Sequence, residues 1–394
     1  MEFPTLSLDM LFEIFSRTSL QTIGRCRLVS KDLNSITYDS NFMQAFHQRT
    51  KTISGFFIQS MSQFVSNSLT DDSTVSLKFL PAPVKIEAAT KQGILLCVNK
   101  DNPRRYRIPE YYVCKPSTKE WHQIPNPKTR FFTQRIGMVV LRLEPLCYKI
   151  VRFSSPKSKW TNYKSKLYNT LHCEVYSSET CAWKRLGNVL LPWIEYLRWE
   201  PAVSSCGALH WLMTNHEIFT FFADTESWEI FDLPFPLCKE HYFKHMKLVD
   251  YSGHLAMLCM EDSSMQLWVM EDSETKKWSK RQNISIKAIQ EVERYPRPVS
   301  FESSDIILIE GFCRLILYNF KSCSVNVRKI GINFDQSTEI FPFQSDSEPM
   351  HLKNYWKKEQ LSTTKIGRRN SYPKFFGCLA CFSAIVYIIF VCNR

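Results

Sequence analysis

Glycine is scarce in this chain: 11 of 394 residues. With so little of it, and with neither Gly-x-Gly-x-x-Gly nor Gly-x-x-x-x-Gly-Lys-Ser/Thr present, no phosphate-cradling nucleotide loop is expected. No Gly-x-Ser-x-Gly nucleophile elbow occurs. Met1 to Ser7 has neither a basic start nor an apolar stretch, which argues against a secretory signal. The 14 cysteines fall singly and do not read as a disulfide framework, so an intracellular, reduced chain is expected and the sequon at Asn283 is read as chance. Cys378 and Cys381 have metal-like spacing but no second pair, and they lie in apolar sequence. His241 and His245 stand four apart with no Cys or acid placed to complete a site, and His210 beside Trp211 reads as a packed residue. No catalytic, cofactor or metal residues are therefore assigned.

What is present begins in the first fifty residues. Ser7 suits the cap of a helix with Leu8, Leu11, Phe12 and Phe15 at helical spacing, and Asp9 suits its first turn. Ser19 opens a second helix through Leu20, Ile23 and Arg27, ending near Ser30. A third short helix holds Leu33 and Ile36, and Asp39 or Ser40 opens a fourth with Phe42 and Phe46. A segment this small rarely buries enough apolar surface to fold unaided, so it is expected to dock on something.

Leu6, Leu11, Ile14, Arg17, Ile23, Arg25, Val29, Ser30, Lys31, Asp39 and Phe42 stand where an F-box carries its pattern, and the segment resembles one. It departs from that pattern at Ser7 for Pro, at Thr18-Ser19 for Leu-Pro and at Leu33 for Trp. A serine replaces proline cheaply at a helix start, whereas losing the Trp removes aromatic contact area. The resemblance implies docking on a Skp-type subunit of a cullin ubiquitin ligase, with Leu6, Leu11, Ile14, Leu20, Ile23 and Val29 as the partner-binding residues.

Past Arg49 the pattern changes to short apolar or β-branched runs broken by Pro, Asn, Asp and Ser, such as 93–98, 138–141, 306–309 and 315–318. This reads as all-β. A unit of strand, polar tip and aromatic recurs at 112–125, 173–183, 217–228 and 266–278, with a degenerate copy at 317–323. Its Trp residues, Trp121, Trp183, Trp228 and Trp278, are spaced 62, 45 and 50 apart. Such periods suit β-propeller blades, and about 300 residues at roughly 40–50 each predict six to seven of them. Each polar tip should turn a hairpin between the outer strands of a blade, and each Trp should wedge between neighbouring blades. The tips, together with Gly207-Ala208-Leu209-His210-Trp211-Leu212, resemble the F-box-associated, kelch-like domain of plant F-box proteins. That resemblance implies a partner-binding ring without naming the partner.

The net charge is +12. It divides into 0 for residues 1–50, +12 for 51–200, −7 for 201–350 and +7 for 351–394. Between Lys100 and Lys166 there are 16 basic residues against 4 acids. This is read first as a face balanced in the fold by the acidic half, and second as a dock for an acidic partner. It carries no recognisable nucleic-acid motif. Residues 375–392 hold no charge over 18 positions, with Lys374 and Arg394 flanking. The run is read as a candidate tail anchor with residues 1–374 in the cytosol, the alternative being an apolar tail packed on the ring.

The expected architecture is thus α+β: helices over 1–48, a kelch-like propeller over 51–345, a basic linker over 346–374 and the apolar tail over 375–392. The expected function is the substrate-binding adaptor of a Skp–cullin–F-box ubiquitin ligase, itself not an enzyme, binding a Skp-type subunit and an unknown target protein without cofactor. It would act in the cytoplasm or nucleus, or at a membrane through the tail. The alternative is a propeller scaffold outside any ligase.

Overall fold

The computed structural model describes residues 7–50, 52–60, 64–68, 75–100, 109–156, 160–163, 166–234, 245–330, 338–346, 348, 350 and 352. Four helices come first: α1 (Leu8–Phe15), α2 (Leu20–Val29), α3 (Lys31–Tyr38) and α4 (Ser40–Thr50). Ser7, Ser19 and Ser30 cap the first three, each side chain accepting from a backbone N–H three residues on. Phe15, Ile23, Cys26, Leu33, Phe42, Met43 and Phe46 close a core of their own. Phe12 meets Phe42 edge-on at 5.4 Å, and Phe42 stacks on Phe46 at 6.0 Å. Leu33, standing where the resemblance would place a Trp, is buried in that core.

The body is a ring of antiparallel sheets. It starts with β1 (Ile53–Gln59) and β2 (Phe64–Ser68). The first blade is β3 (Val84–Ala89), β4 (Leu95–Asn99), β5 (Tyr111–Lys115) and β6 (Glu120–Gln123). The second is β7 (Phe132–Leu143), β8 (Leu146–Ser155), β9 (Trp160–Tyr163), β10 (Lys166–Ser177) and β11 (Ala182–Pro192), with β9 pairing the early part of β10. The third is β12 (Val203–Ser205), β13 (Ala208–Leu212), β14 (Glu217–Phe222) and β15 (Ser227–Asp232). The fourth is β16 (His245–Tyr251), β17 (His254–Met260), β18 (Ser264–Asp272) and β19 (Lys277–Ser285). The fifth is β20 (Arg297–Phe301), β21 (Ile306–Gly311), β22 (Arg314–Asn319) and β23 (Ser324–Lys329). Last comes β24 (Glu339–Ser345), which pairs β1 residue for residue from Ile53↔Ser345 to Gln59↔Glu339.

Five full blades therefore stand where six to seven were expected. Dividing length by period miscounted for two reasons. The second blade runs from Phe132 to Pro192 with strands of ten to twelve residues, and the two ends of the body combine in a three-stranded sheet, β2-β1-β24, that closes the ring. Counting tips would have given the right number. All five polar tips fall between the third and fourth strands of a full blade, and each turns on a residue with positive φ: Lys119, Cys181, Glu226, Lys276 and Cys323. The residue two positions on, a Trp in four tips and Val325 in the fifth, is the wedge. Trp183 donates its Nε1 to the Pro125 carbonyl of the first blade at 2.6 Å. Trp228 packs on the core between the second and third blades, and Trp278 on that between the third and fourth. Trp121 is the exception and remains partly exposed, beside a sheet that has three strands among the described residues.

The buried apolar clusters each straddle neighbouring sheets. Phe57 of β1, Phe341 and Phe343 of β24, and Val84, Ile86 and Leu95 of the first blade form one. Phe56 and Ile58 of β1 join Leu308 and Leu315 of the fifth blade in another. The body also reaches past 345, where a linker was expected to start. Lys115 Nζ pairs with Asp346 and donates to the Glu348 carbonyl, Met350 N donates to Glu120, and Leu352 is buried between the first two blades. The apolar run 375–392 lies outside the described residues. Among those described, no helix is long and apolar enough to cross a membrane.

Ring closure supplies the first test. Phe57 is fully buried and stacks on Phe343 at 4.4 Å. Phe57→Ala should cost about 3–5 kcal/mol in denaturant unfolding, and a loss below about 1 kcal/mol would show that this clasp does not hold the ring.

Candidate protein-docking faces

The helical module sits across one face of the ring, and the contacts are mainly polar. Within each blade the first strand runs toward the module, so the turn between first and second strands faces it. Lys91, in the turn after β3, donates to Tyr38 OH (3.1 Å) and pairs with Asp250 (2.6 Å) near the end of β16. The Arg27 guanidinium stacks on the same Tyr38 ring at 3.7 Å. Ser304 N donates to the Tyr38 carbonyl (2.8 Å), and Ser40 Oγ donates to Asp305 (2.7 Å). Arg25 pairs with Glu144 at 2.6 Å, Asn34 Nδ2 donates to the Ser252 carbonyl at 3.2 Å, and Gln344 Nε2 of β24 donates to His47 Nε2 at 2.8 Å. Module and ring enclose a chamber of about 1110 Å³, lined by Gly24, Arg27 and Tyr38 on one side and by Val140, Ser204 and Glu302 on the other.

With that face of the module engaged, another remains open. Met10 and Ile14, one helical turn apart on α1, are exposed, as are Leu8 beside them and Val29 at the end of α2, whereas Leu28, also exposed, borders the chamber. Leu28 is 89% exposed and Ile14 46%. Of the residues expected to bind a partner, Ile14 and Val29 are therefore available. Leu11 and Leu20 are half-buried against the module core. Ile23 is 1% exposed and is itself core, so it is withdrawn as a docking residue. Leu6 lies outside the described residues. Sequence reasoning missed Leu8 and Met10. Leu8 shares the spacing of Leu11 and Phe15 but stands in the first turn, beyond the reach of the other helices, and the four-residue step from Met10 to Ile14 was the available signal.

Among the described residues, five cations of the basic stretch are engaged within the chain. Lys115 is held by Asp346, Lys149 by Glu226 (2.8 Å) and Arg142 by Glu179 (3.2 Å). Arg152 and Glu174, neither accessible to solvent, pair at 2.6 Å. Arg135 donates to the carbonyls of Leu197 (2.8 Å) and Arg198 (2.5 Å). Two of these anions, Glu226 and Asp346, belong to the acidic half of the chain, which is the balance expected of a face neutralised within the fold.

Among the described residues no group of three His, Cys, Asp or Glu side chains converges as a metal site would require. His210 is buried and shares a hydrogen bond with Thr220 Oγ1 (2.8 Å). Burial holds its pKa down to about 4, despite a backbone hydrogen bond to Ser205 that raises it. Burial likewise holds His47 at about 4, and the neutral ring is the form that can accept from Gln344. Two carboxyls are shifted the opposite way. Glu87 on β3 is pushed up to about 7 by burial, with Lys85 at 3.7 Å opposing and Glu339 reinforcing. Glu302, facing the chamber, reaches about 7 by burial, with Asp305 adding to it.

These shifts make a pH prediction with a definite sign. Between pH 5 and 6 the unfolded chain binds a proton at each of the two histidines that the folded chain does not. The folded chain binds one at each of the two glutamates that the unfolded chain does not. These four contributions oppose one another in pairs. Relative to the parent, Glu87→Gln should make the change of stability with pH more positive by about 1.4 kcal/mol per unit, and His47→Gln should make it more negative by a similar amount. Denaturant titrations at pH 5 and 6 test this, and equal slopes in the two variants would refute it.

Comparison with known proteins agrees with this layout. A family described as "F-box associated beta propeller domain" matches residues 41–362, and one described as "F-box domain" matches residues 3–44. Among Arabidopsis thaliana proteins, the chain is similar to F-box protein At5g41720, 39% identical over 161 residues that cover 38% of this chain and 86% of that protein. It is 24% identical to F-box protein At5g49610 over 72% of this chain and 79% of that one. F-box protein At4g22390 is 24% identical over 87% of this chain and 84% of its own length.

Proposed function

The chain belongs to the family of F-box proteins with an F-box associated β-propeller, and from that premise we propose that it is the substrate-recognition adaptor of a Skp–cullin–F-box ubiquitin ligase. The observation that carries this reading is the set of open apolar side chains on the module, Leu8, Met10, Ile14 and Val29, left exposed although the module has its own core and its own seat on the ring. Burying such side chains is worth roughly 1.5–3 kcal/mol each before the costs of association. That is ample for a stable contact with a Skp-type subunit and costly to leave in water.

The chain performs no chemistry in this reading. The ring holds a target protein, and other subunits transfer ubiquitin to it. The contribution is proximity: a target held at a fixed place reacts as though highly concentrated. The polar junction serves this by keeping ring and module at one angle. The site of action is the cytoplasm or nucleus, where cullin ligases work.

The test is co-purification of the full chain with a Skp-type subunit. Ile14→Asp combined with Val29→Asp should weaken capture by about 100-fold or more, through two charges placed in an apolar contact. The thermal midpoint should stay within about 2 °C of the parent's, since both side chains are exposed. Ile23→Asp should instead unfold the module. Unchanged capture by the Ile14/Val29 double variant would defeat the adaptor reading.

A further inference from the structure

The face of the ring turned away from the helical module displays aromatic side chains. Connections from a fourth strand to the next first strand lie at that end, since the turns between first and second strands lie at the other. The connection from β11 to β12 carries Trp193, Ile194, Tyr196 and Trp199, each between 46% and 58% exposed. Phe132, at the start of β7 on the same face, is 66% exposed. Scattered exposed apolar residues are ordinary, but four large ones within seven positions form the kind of patch that marks an interaction site.

The segment bearing them is held rigidly. Arg135 donates to the carbonyls of Leu197 and Arg198 from β7. Arg198 N donates to the Leu212 carbonyl (2.8 Å), and Thr214 exchanges backbone and hydroxyl hydrogen bonds with Tyr196. Thr214 Oγ1 also donates to Glu195 (2.5 Å), and Asn169 Nδ2 reaches the Glu195 carbonyl (3.4 Å). Leu197 is driven into the core between the second and third blades. The backbone is fixed on both sides of the aromatics, while Tyr196 and Trp199 keep about half of their surface in water. A loop ordered in this way has already met the conformational cost that binding would otherwise impose.

The charges nearby identify the occupant. Lys128 and Arg130, in the connection from β6 to β7 beside Phe132, are exposed cations. Glu195, Glu200 and Glu217 lie among the aromatics, held by Thr214, Lys247 and Asn215. Each of the three acids accepts from a side chain of the chain itself, whereas Lys128 and Arg130 face solvent, so this surface suits a polypeptide that brings its own acid beside a bulky apolar group.

We infer that this rigid aromatic crown is the docking surface for an extended segment of a target protein that offers bulky apolar side chains next to acidic ones. The inference rests on the adaptor reading only in taking the occupant to be the ligase's target.

The probe is a phage-displayed library of random linear peptides panned against the full chain. Enriched peptides should pair a bulky apolar residue with Asp or Glu. Measured by fluorescence anisotropy, they should bind the Tyr196→Ser/Trp199→Ser variant about 10-fold or more weakly, as aromatic anchors do. Lys128→Glu with Arg130→Glu should also weaken them, and the parent's affinity should fall as salt rises. Phe132→Ser, on a separate element, gives an independent variant should the double substitution disturb folding, which thermal melting reports. Failure to enrich, enrichment without acidic residues, or equal binding by parent and variants overturns the inference. So does sedimentation with phosphatidylserine vesicles that depends on Tyr196 and Trp199 when peptide binding does not. Skp-type capture is measured on the same preparations. Crown variants that capture normally and bind peptides like the parent sink the crown alone. A parent chain that fails to capture yet binds peptides through the crown sinks the adaptor reading alone.

Discussion

The pairing of β1 with β24 is the constraint on which the rest of the molecule depends. Two strands almost 280 residues apart meet over seven consecutive pairs, and until they do the first and fifth blades each have an apolar side with nothing to cover it. Once they meet, the cores at Phe57 and at Ile58 join the closing sheet to the first and fifth blades. The same closure positions the helices. α4 ends at Thr50, β1 starts at Ile53, and Gln344 of β24 reaches back to His47. The clasp that completes the ring therefore also anchors the module.

Much of this was legible in the residues because the signals were local. Ser7, Ser19 and Ser30 cap helices through bonds three residues long, and that spacing is visible in any sequence. The hairpin tips are equally local, each a polar turn followed two residues on by an aromatic or β-branched wedge. What escaped depended on distant partners. Nothing around Ile23 distinguishes a residue facing a partner from one facing Phe42 and Phe46, since both faces of α2 carry apolar groups. Nothing near Trp121 announces that the sheet beside it has three strands among the described residues. The blade number failed because length is a poor proxy when one blade carries much longer strands and another is assembled from both ends of the body.

The charge distribution shows the same limit. Sixteen cations between Lys100 and Lys166 look like a surface on paper. In the fold Arg152 is sealed with Glu174, its guanidinium further satisfied by Thr133 and Thr129, and together they pin the segment leading into β7. Breaking such a pair leaves an uncompensated charge in the interior, so its value lies in fixing one arrangement more than in net stability. The cations that remain exposed near this segment, Lys128 and Arg130, sit immediately beside the pinned stretch. The interior pairs thus decide which charges are left to face a partner.

The contrast between the two kinds of contact explains how such a chain could act through geometry alone. Neighbouring sheets are joined by apolar cores, which resist separation but specify direction weakly. The module is joined to the ring by hydrogen bonds and ion pairs around a chamber, at Lys91, Glu144, Ser252, Ser304, Asp305 and Gln344. Each is worth on the order of 1 kcal/mol, so none holds the junction alone. They arise from four blades and the closing sheet, however, and a tilt that preserves some must break others. The joint is therefore modest in strength and narrow in angle. Under the adaptor reading, a target on the far face is thereby carried at a set distance from a subunit held at Ile14 and Val29. A polar joint reaches that precision while leaving Met10, Ile14 and Val29 exposed.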